Sequence, residues 1–259
     1  MRLIIKKRVV TRKKKALEIL VLPIPASLRE RVAHLIKNQQ EHLIHLPRKK
    51  SPKSHQEQKK SIASLLDSPD FMSSSVLVLI APGFEEIEAI VPIDLLRRAE
   101  ALVTLASCSG NLIVTGRSSI TLTTDCLLDE LSDPFAYDLL ILPGGPAVFD
   151  LRKRPEVLNL IREFGTMGKL IGAICAAPLL LLDTGLITKE SACTAHGSTI
   201  GEIPQLSQKE QVVQDGRLIT SRGAGTSVEF GLSLINRLFG PEKMSEIRTS
   251  IHADLPSPR

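Results

Sequence analysis

The sequence predicts an α/β fold, a doubly wound and mostly parallel sheet with helices on both faces. From Val76 onward, short aliphatic runs alternate with amphipathic helical stretches, which is the pattern of parallel strands covered by helices. Apolar residues make up 43% of the chain and charged residues 24%, as in ordinary globular proteins. Ligands of such sheets bind beyond the carboxyl ends of the strands, so functional residues are expected directly after each strand.

Five strands are predicted, with helices between them. The strands are Val76–Ala81, Leu102–Ser107, Leu139–Leu142, Leu170–Ile174 and Leu218–Ser221. Apolar residues at helical spacing predict helices over Ile87–Ala99, Pro155–Met167 and Thr226–Phe239, and Pro92 is expected to kink the first of them. A small antiparallel excursion is expected from Leu112–Val114 and Ile120–Thr123, and a further short strand from Ser191–Thr194.

Composition excludes several classes of function. The chain has no Trp and one Tyr, so it offers few stacking platforms for single-stranded nucleic acid. Its four cysteines, Cys108, Cys126, Cys175 and Cys193, are far apart and form neither a CxxC pair nor a metal-ligand spacing. Free thiols in a reducing compartment, the cytoplasm, are therefore expected, without a metal site. No apolar run approaches the roughly 20 residues of a membrane span.

The basic N-terminal segment differs from the rest of the chain. Residues 1–71 carry 17 Lys and Arg against 6 Asp and Glu, whereas residues 72–259 carry 16 against 22. Three interpretations of residues 1–71 stay open: a solvated or disordered extension, a translation start that is really at Met72, or an organelle-targeting segment. Contact with nucleic acid is expected only through this extension. Residues 72–259 are expected to form the α/β domain.

Three segments that follow predicted strands contain unusual residues. Glu85, Glu86 and Glu88 stand at a helix start, where carboxylates are favoured by the helix dipole. Glu88 is expected to point partly inward, on the side of Ile87 and Val91. Gly144–Gly145 follows the third strand and frees the backbone to turn amides toward a ligand.

The most informative segment surrounds Cys175. A buried strand ends at this cysteine, and small residues and Pro178 then open an apolar helix, as in a nucleophile elbow. The helix N-terminus is expected to lower the pKa of the thiol and to stabilise a thiolate. The amides of Gly145 and Ala176 are expected to receive a developing oxyanion.

With these residues in place, the chain resembles the ThiJ/PfpI superfamily, and within it the branch of the parkinsonism-associated protein deglycase and its bacterial relatives. The resemblance runs from about Val76 to about Ser250. Four motifs in order carry it: APGFEEIEAIVPIDLLRRA (81–99), YDLLILPGG (137–145), GKLIGAICAAP (168–178) and DGRLITSRGAGTSVEF (215–230).

The resemblance implies a flavodoxin-like fold, usually a homodimer, with Cys175 as the reactive cysteine. It implies that Glu88 is a protonated glutamate beside the thiolate and donates a hydrogen bond to the sulfur. The same donor would stabilise a cysteine sulfinate. His196 matches a histidine near the cysteine, and Arg98 and Arg117 match arginines near the dimer interface, where an anion could bind.

The chain also departs from parts of the superfamily. Ala176 stands where the protease-like branch has a histidine, and Ser221–Gly225 stands where glutaminase relatives have His-x-Glu, so peptidase and amidotransfer activities lose support. Ala224 replaces a residue that is usually Pro in the closest relatives, which is expected to loosen that loop without touching the chemistry.

Two hypotheses of function follow. The first is a cofactor-independent glyoxalase or deglycase that acts on α-oxoaldehydes, or on their early adducts with amino and thiol groups, and protects against carbonyl and oxidative stress. Cys175 would be the nucleophile and Glu88 the proton carrier, assisted by His196, with Gly144, Gly145 and Ala176 providing backbone groups. The second is a redox-sensing or chaperone-like protein in which Cys175 is oxidised without turnover. A role in thiazole biosynthesis has no residue in its favour.

Overall fold

A computed structural model of the chain describes residues 74–253. In chain order the strands are β1 (Ser75–Ile80), β2 (Leu102–Ser107), β3 (Ile113–Thr115), β4 (Thr121–Thr123), β5 (Cys126–Leu127), β6 (Leu139–Leu142), β7 (Leu170–Ile174), β8 (Val212–Asp215) and β9 (Leu218–Ser221). The α-helices are α1 (Glu86–Arg98), α2 (Ala147–Leu151), α3 (Pro155–Thr166), α4 (Pro178–Asp183), α5 (Ser227–Phe239) and α6 (Pro241–Ser250).

The main sheet has the order β5-β2-β1-β6-β7-β9-β8, and β3 and β4 form a separate antiparallel hairpin. Every pairing in the main sheet is parallel except that of β8 with β9. The chain builds outward from β1 through β2 on one side and then through β6, β7 and β9 on the other. This reversal confirms the flavodoxin-like doubly wound fold and places a switch point between the carboxyl ends of β1 and β6.

Helices cover both faces of the sheet. Consecutive residues of β1, β6 and β7 are buried at almost every position, which a strand achieves only when both of its faces are covered. Helices α1 and α5 pack against each other and approach closely at Gly231, where a Cβ would lie 2.7 Å from Leu95 Cδ1. Helix α5 also packs on β7, because Phe230 lies over Gly172.

The five predicted strands are confirmed to within a residue or two at their ends. The helix predicted from Ile87 begins at Glu86, because Glu85 caps it, and it continues through Pro92 to Arg98. The predicted hairpin is also present, as β3 and β4. Strands β5 and β8 and helices α2 and α6 were not predicted.

The short strand predicted at Ser191–Thr194 is wrong. These residues make no strand ladder, because side chains take the donors that a neighbouring strand would pair. The amide of Ala192 donates to Asp215 Oδ2 at 3.0 Å, and the amide of Thr194 donates to Thr220 Oγ1 at 3.0 Å. The segment is held at the sheet edge by these contacts.

The predictions made for residues 1–71 lie outside the described residues. Within residues 74–253, none of the helices has the length and apolar character that crossing a membrane requires. The same part of the chain contains no group of three or more His, Cys, Asp or Glu side chains placed to hold a metal ion. Its four cysteines are free thiols.

Candidate active site

Cys175 lies in a tight turn between β7 and α4, at the carboxyl edge of the sheet. Its φ is +65°, a left-handed conformation that non-glycine residues rarely adopt. Its amide donates to Ser221 O at 2.9 Å, and its carbonyl accepts from the amide of His196 at 2.9 Å. These two hydrogen bonds hold the strained residue from both sides, as the nucleophile-elbow prediction requires.

Gly144 brings the carboxyl end of β6 against this turn. A Cβ on Gly144 would lie 2.4 Å from Glu88 Oε2 and 2.6 Å from Cys175 Cβ, so only glycine fits between the two side chains. The amide of Gly144 donates to Glu88 Oε2 at 3.1 Å. Gly144 therefore belongs to the site, but its amide serves the carboxylate and not the oxyanion hole expected from the sequence.

Glu88 lies on the first turn of α1 and is almost completely buried, with 1% of its surface exposed. Glu85 caps the helix, and its Oε2 accepts from the amide of Glu88 at 2.8 Å. The predicted inward direction is confirmed, but the predicted side of the helix is wrong, because Ile87 is 51% exposed. The Glu88 side chain points toward the switch point between β1 and β6, where it accepts from Gly144.

Above a pH of about 7, Glu88 and Cys175 share a single proton. Burial, together with the nearby charge of Glu85, raises the pKa of Glu88 to about 7. Burial, together with the charge and hydrogen bond of Glu88, raises the pKa of the Cys175 thiol to about 12. The expected lowering of the thiol pKa is therefore wrong: desolvation and a neighbouring carboxylate outweigh the backbone amides. A thiolate forms most readily when the shared proton sits on Glu88.

The backbone amides of Gly145 and Ala176 favour the charged form of Cys175 and oppose the rise of its pKa. Gly145 has a φ of +92°, and a Cβ there would lie 2.6 Å from Gly83 O, so glycine is required for this turn. These are the two amides that the sequence predicts as oxyanion donors, and they stand at the nucleophile.

His196 stands at the rim of the site and is exposed. The amide of Ser198 donates to its Nδ1 at 3.3 Å, and the Ser198 hydroxyl lies 2.8 Å from the same atom. An Nδ1 that accepts from an amide leaves the proton of the neutral ring on Nε2. His196 can therefore present an N–H donor from its other ring nitrogen.

Gly223, which was not predicted as a site residue, marks the point where the three side chains converge. A Cβ on Gly223 would lie 3.6 Å from Glu88 Oε1, 3.8 Å from His196 Cδ2 and 4.0 Å from Cys175 Cβ. A side chain at this position would enter the space between the three residues. The signal was present as the glycine-rich loop after β9, but sequence alone did not show which glycine faces the cysteine.

An ion network holds the segment that carries His196. Arg152, at the end of α2, pairs with Asp183 of α4 at 2.6 Å and with Glu202 at 2.6 Å. The amide of Glu202 donates to Thr199 O at 2.9 Å, and the amide of Thr199 donates to the carbonyl of His196 at 2.9 Å. Arg152 thus ties the histidine segment to the helix that follows Cys175.

Arg98 and Arg117 do not meet within one chain. Arg98 lies at the far end of the 13-residue helix α1 and pairs with Asp94, about 18 Å from the end that carries Glu88. Arg117 is exposed in the loop between β3 and β4, and its amide donates to Phe84 O at 2.9 Å. Their expected role at a dimer interface stays a prediction.

The sequence model described as the DJ-1/PfpI family matches residues 74–237, which contain all of these residues. The chain belongs to the DJ-1/PfpI family. Among curated family members, it is 39% identical over 183 residues to Protein dj-1beta of Drosophila melanogaster, covering 68% of this chain and 95% of that one. It is 33% identical over 177 residues to Glutathione-independent glyoxalase DJR-1.2 of Caenorhabditis elegans, covering 67% and 93%.

Solved structures of the DJ-1/PfpI family agree with this assignment. The crystal structure of Drosophila melanogaster DJ-1beta superposes with a TM-score of 0.67 at 34% identity, covering 71% of this chain and 100% of that one. Oxidized Toxoplasma gondii DJ-1 gives a TM-score of 0.64 at 30% identity, covering 70% and 98%. The chain spans less than half of Protein DJ-1 homolog B of Arabidopsis thaliana, 39% of its length at 39% identity.

Proposed function

We propose that the protein is a cysteine-dependent, cofactor-independent glyoxalase or deglycase that converts α-oxoaldehydes, or their early adducts with amino and thiol groups, to hydroxy acids. The observation that carries the proposal is the convergence of Cys175, Glu88 and His196 on the open point beside Gly223. A relative named as a glutathione-independent glyoxalase, 33% identical over most of both chains, supports the same class of reaction.

The first step is addition of the Cys175 sulfur to the aldehyde carbon. With the shared proton on Glu88, the thiolate attacks and the aldehyde oxygen becomes an alkoxide, which accepts from the amides of Gly145 and Ala176. This oxygen takes up the proton held by Glu88, with the assistance of His196, which gives the hemithioacetal and leaves Glu88 as a carboxylate.

The second step moves one hydrogen between the two carbons. The carboxylate of Glu88 removes the proton from the former aldehyde carbon, and an enediol forms. Glu88 then returns that proton to the adjacent carbon, and the hydroxyl proton of the first carbon passes to the oxygen of the second. The first carbon is thereby oxidised to a thioester and the second is reduced to an alcohol. A carboxyl with a pKa of about 7 can both accept and release a proton at neutral pH.

The last step is hydrolysis of the thioester. Water adds to the thioester carbon, the carbon–sulfur bond breaks, and the hydroxy acid leaves while Cys175 regains its starting form. The sum is one α-oxoaldehyde and one water converted to one hydroxy acid, so no external oxidant or reductant is needed. For adducts on amino or thiol groups, the amine or thiol leaves when the aldehyde carbon transfers to sulfur.

The test is conversion of methylglyoxal to lactate by the purified protein, compared with Cys175→Ser and Glu88→Gln. We expect a loss of at least about 100-fold in kcat for each variant, because each removes an obligatory group. Cys126→Ser is the matched control, since this thiol lies in β5, the edge strand that pairs only with β2. Equal lactate formation by the wild type and the two site variants would overturn the proposal.

A second candidate function is redox sensing, because the same site has hydrogen-bond donors for the oxygens of an oxidised cysteine. Hydrogen peroxide oxidises a thiolate to a sulfenic acid and a second equivalent gives the sulfinic acid, with one water released at each step. Protonated Glu88 and the amides of Gly145 and Ala176 would hold the sulfinate oxygens. Intact mass after limited peroxide treatment tests this. A stable gain of two oxygen atoms at Cys175 in the wild type, but not in Glu88→Gln, supports the proposal. Oxidation of the wild type onward to a gain of three oxygen atoms argues against it.

Self-association is proposed through the start of α1 and the β3–β4 loop. Ile87 is 51% exposed and Ile120 is 59% exposed, and the amide of Ile120 donates to Glu86 Oε1, so the two side chains stand on neighbouring segments. Exposed apolar side chains grouped in this way are typical of protein interfaces. We propose that this surface joins two copies of the chain.

A further inference from the structure

The guanidinium group of Arg152 binds two carboxylates at once. Its Nε and Nη2 donate to the two carboxylate oxygens of Asp183, at 2.6 and 2.8 Å. Its Nη1 and Nη2 donate to the two carboxylate oxygens of Glu202, at 3.0 and 2.6 Å. The hydrogen bond from Arg152 also holds the pKa of the Glu202 carboxyl below its usual value. Parallel N–H groups that meet both oxygens of a carboxylate fix its orientation as well as its distance.

Arg152 thereby connects three elements that each start beside a group of the candidate active site. Helix α2 begins two residues after Gly145 and is followed directly by Arg152. Helix α4 begins three residues after Cys175, and Asp183 is its last residue. The third element is the segment of residues 196–202, which begins at His196 and ends at the second carboxylate. One side chain is therefore shared by the elements that carry an expected oxyanion amide, the nucleophile and the histidine.

The segment 196–202 depends on this connection more than the two helices do. Helices α2 and α4 are anchored by buried apolar residues, whereas Thr199 is the only buried residue of the segment. The amide and the hydroxyl of Thr199 donate to the His196 carbonyl at 2.9 and 2.8 Å, and the amide of Glu202 donates to the Thr199 carbonyl at 2.9 Å. A displacement of Glu202 is therefore passed to His196 through two consecutive hydrogen-bonded turns.

We infer that Arg152 is a positioning residue, whose ion pairs with Asp183 and Glu202 hold the exposed segment of His196 in place and so keep the imidazole beside Cys175. This inference rests on the proposed function, in which His196 assists the proton transfer to the substrate oxygen. It assigns to Arg152 an effect on the reaction in addition to its effect on stability, because small displacements of a reacting group lower the rate steeply.

The first test is hydrogen exchange at the backbone amide of His196, which donates to the Cys175 carbonyl at 2.9 Å. Exchange requires this hydrogen bond to open, so its rate reports whether the segment stays in place. Arg152→Met keeps a long side chain and removes the charge. We expect the His196 amide of this variant to exchange at least about fivefold faster than that of the wild type, because two partly exposed ion pairs are lost.

The second test is the kinetics of lactate formation from methylglyoxal. Arg152→Met is expected to lower kcat by about tenfold, because it displaces a group that acts in the chemical steps. KM is expected to stay within about twofold of the wild-type value, since binding of the substrate is not the step affected. The loss cannot exceed that of His196→Ala, and in a His196→Ala background Arg152→Met is expected to cause no further loss of kcat.

Two further variants separate positioning from general destabilisation. Glu202→Gln removes the charge on the histidine side alone and keeps the partly buried pair of Arg152 with Asp183, so both readouts should change in the same direction as in Arg152→Met. Arg152→Lys keeps the charge but cannot donate in parallel to two carboxylates, so it should restore both readouts in part. Lys153→Met, from the exposed neighbouring pair with Asp150, is the matched control and should leave both unchanged.

The outcomes that overturn the inference are distinct from those that overturn the proposed function. A wild-type rate of exchange at His196 in both Arg152→Met and Glu202→Gln overturns the inference. An equal loss of kcat in the His196→Ala background, or a loss confined to KM, also overturns it. If the wild type forms no lactate, the proposed function fails, and the exchange experiment alone decides whether Arg152 holds His196 in place.

Discussion

Filling the open point beside Gly223 is the sharpest test of the site. In Gly223→Ala the new methyl carbon would stand 3.6 Å from Glu88 Oε1, 3.8 Å from His196 Cδ2 and 4.0 Å from Cys175 Cβ. These are ordinary van der Waals distances, so the substitution causes no collision. The methyl group nevertheless occupies the volume in which a bound carbonyl compound must meet all three side chains.

The two expected effects differ greatly in size. The φ of +157° at Gly223 lies at the edge of the region that side chains disfavour, which costs about 1 kcal/mol and lowers the unfolding midpoint by about 2–4 °C for a domain of this length. Displacement of the substrate by even about 1 Å costs on the order of 100-fold in rate. We therefore expect kcat/KM for methylglyoxal to fall at least about 100-fold while the fold is kept.

Gly225→Ala is the matched control, because a Cβ on Gly225 meets nothing within 4 Å. Lactate formation and thermal unfolding are measured for the wild type and both variants. Gly225→Ala is expected to match the wild type in both measurements. If Gly223→Ala keeps half or more of the wild-type kcat/KM, substrate does not bind at the convergence point and the reasoning about the site is refuted.

Three further predictions concern stability and assembly. Between pH 4.5 and about 7 the folded protein retains a proton on Glu88 that the unfolded chain releases, so the free energy of unfolding falls across this window. Glu88→Gln should be up to about 3 kcal/mol more stable than the wild type at pH 8 and equally stable at pH 4. Equal denaturant midpoints at pH 8 would contradict this. Arg152→Met should cost about 1 kcal/mol, because it leaves the partly buried Asp183 and the exposed Glu202 without their cation. Lys153→Met, from an exposed pair, should cost less than about 0.5 kcal/mol in the same unfolding experiment. Ile87→Lys should convert a dimer to a monomer in sedimentation experiments, and Phe149→Lys, equally exposed elsewhere, should not; a monomeric wild type would remove the proposed interface.

The sequence was sufficient for five of the seven strands of the main sheet and for the turn that carries Cys175. Strand β7 matches its predicted bounds, because five consecutive apolar residues that end at small ones have few alternatives to a buried parallel strand. The turn at Cys175 also follows from local sequence. Gly144 was found for a related reason, since adjacent glycines mark a turn, although the partner of its amide depends on a residue 56 positions away.

What the sequence could not provide were properties set by neighbours distant in the chain. The pKa of Cys175 rises rather than falls because Glu88 is packed beside it, and that packing is created by the sheet. Gly223 looked like any loop glycine until the three side chains around it were placed. Residues Ser191–Thr194 have a strand-like sequence but form no strand, because their backbone amides donate to the side chains of Asp215 and Thr220.

The left-handed backbone conformation of Cys175 positions the thiol but lowers the stability of the fold. A glycine there would adopt φ of +65° without strain, and Cys175→Gly would also remove the partner that competes with Glu88 for a proton. Such a variant would fold more securely than the wild type and carry out no thiol chemistry. The thiol therefore stands at a position where substitution by glycine is expected to increase the stability of the fold. A copy of this domain that no longer needed the thiol is expected to lose it by such a substitution.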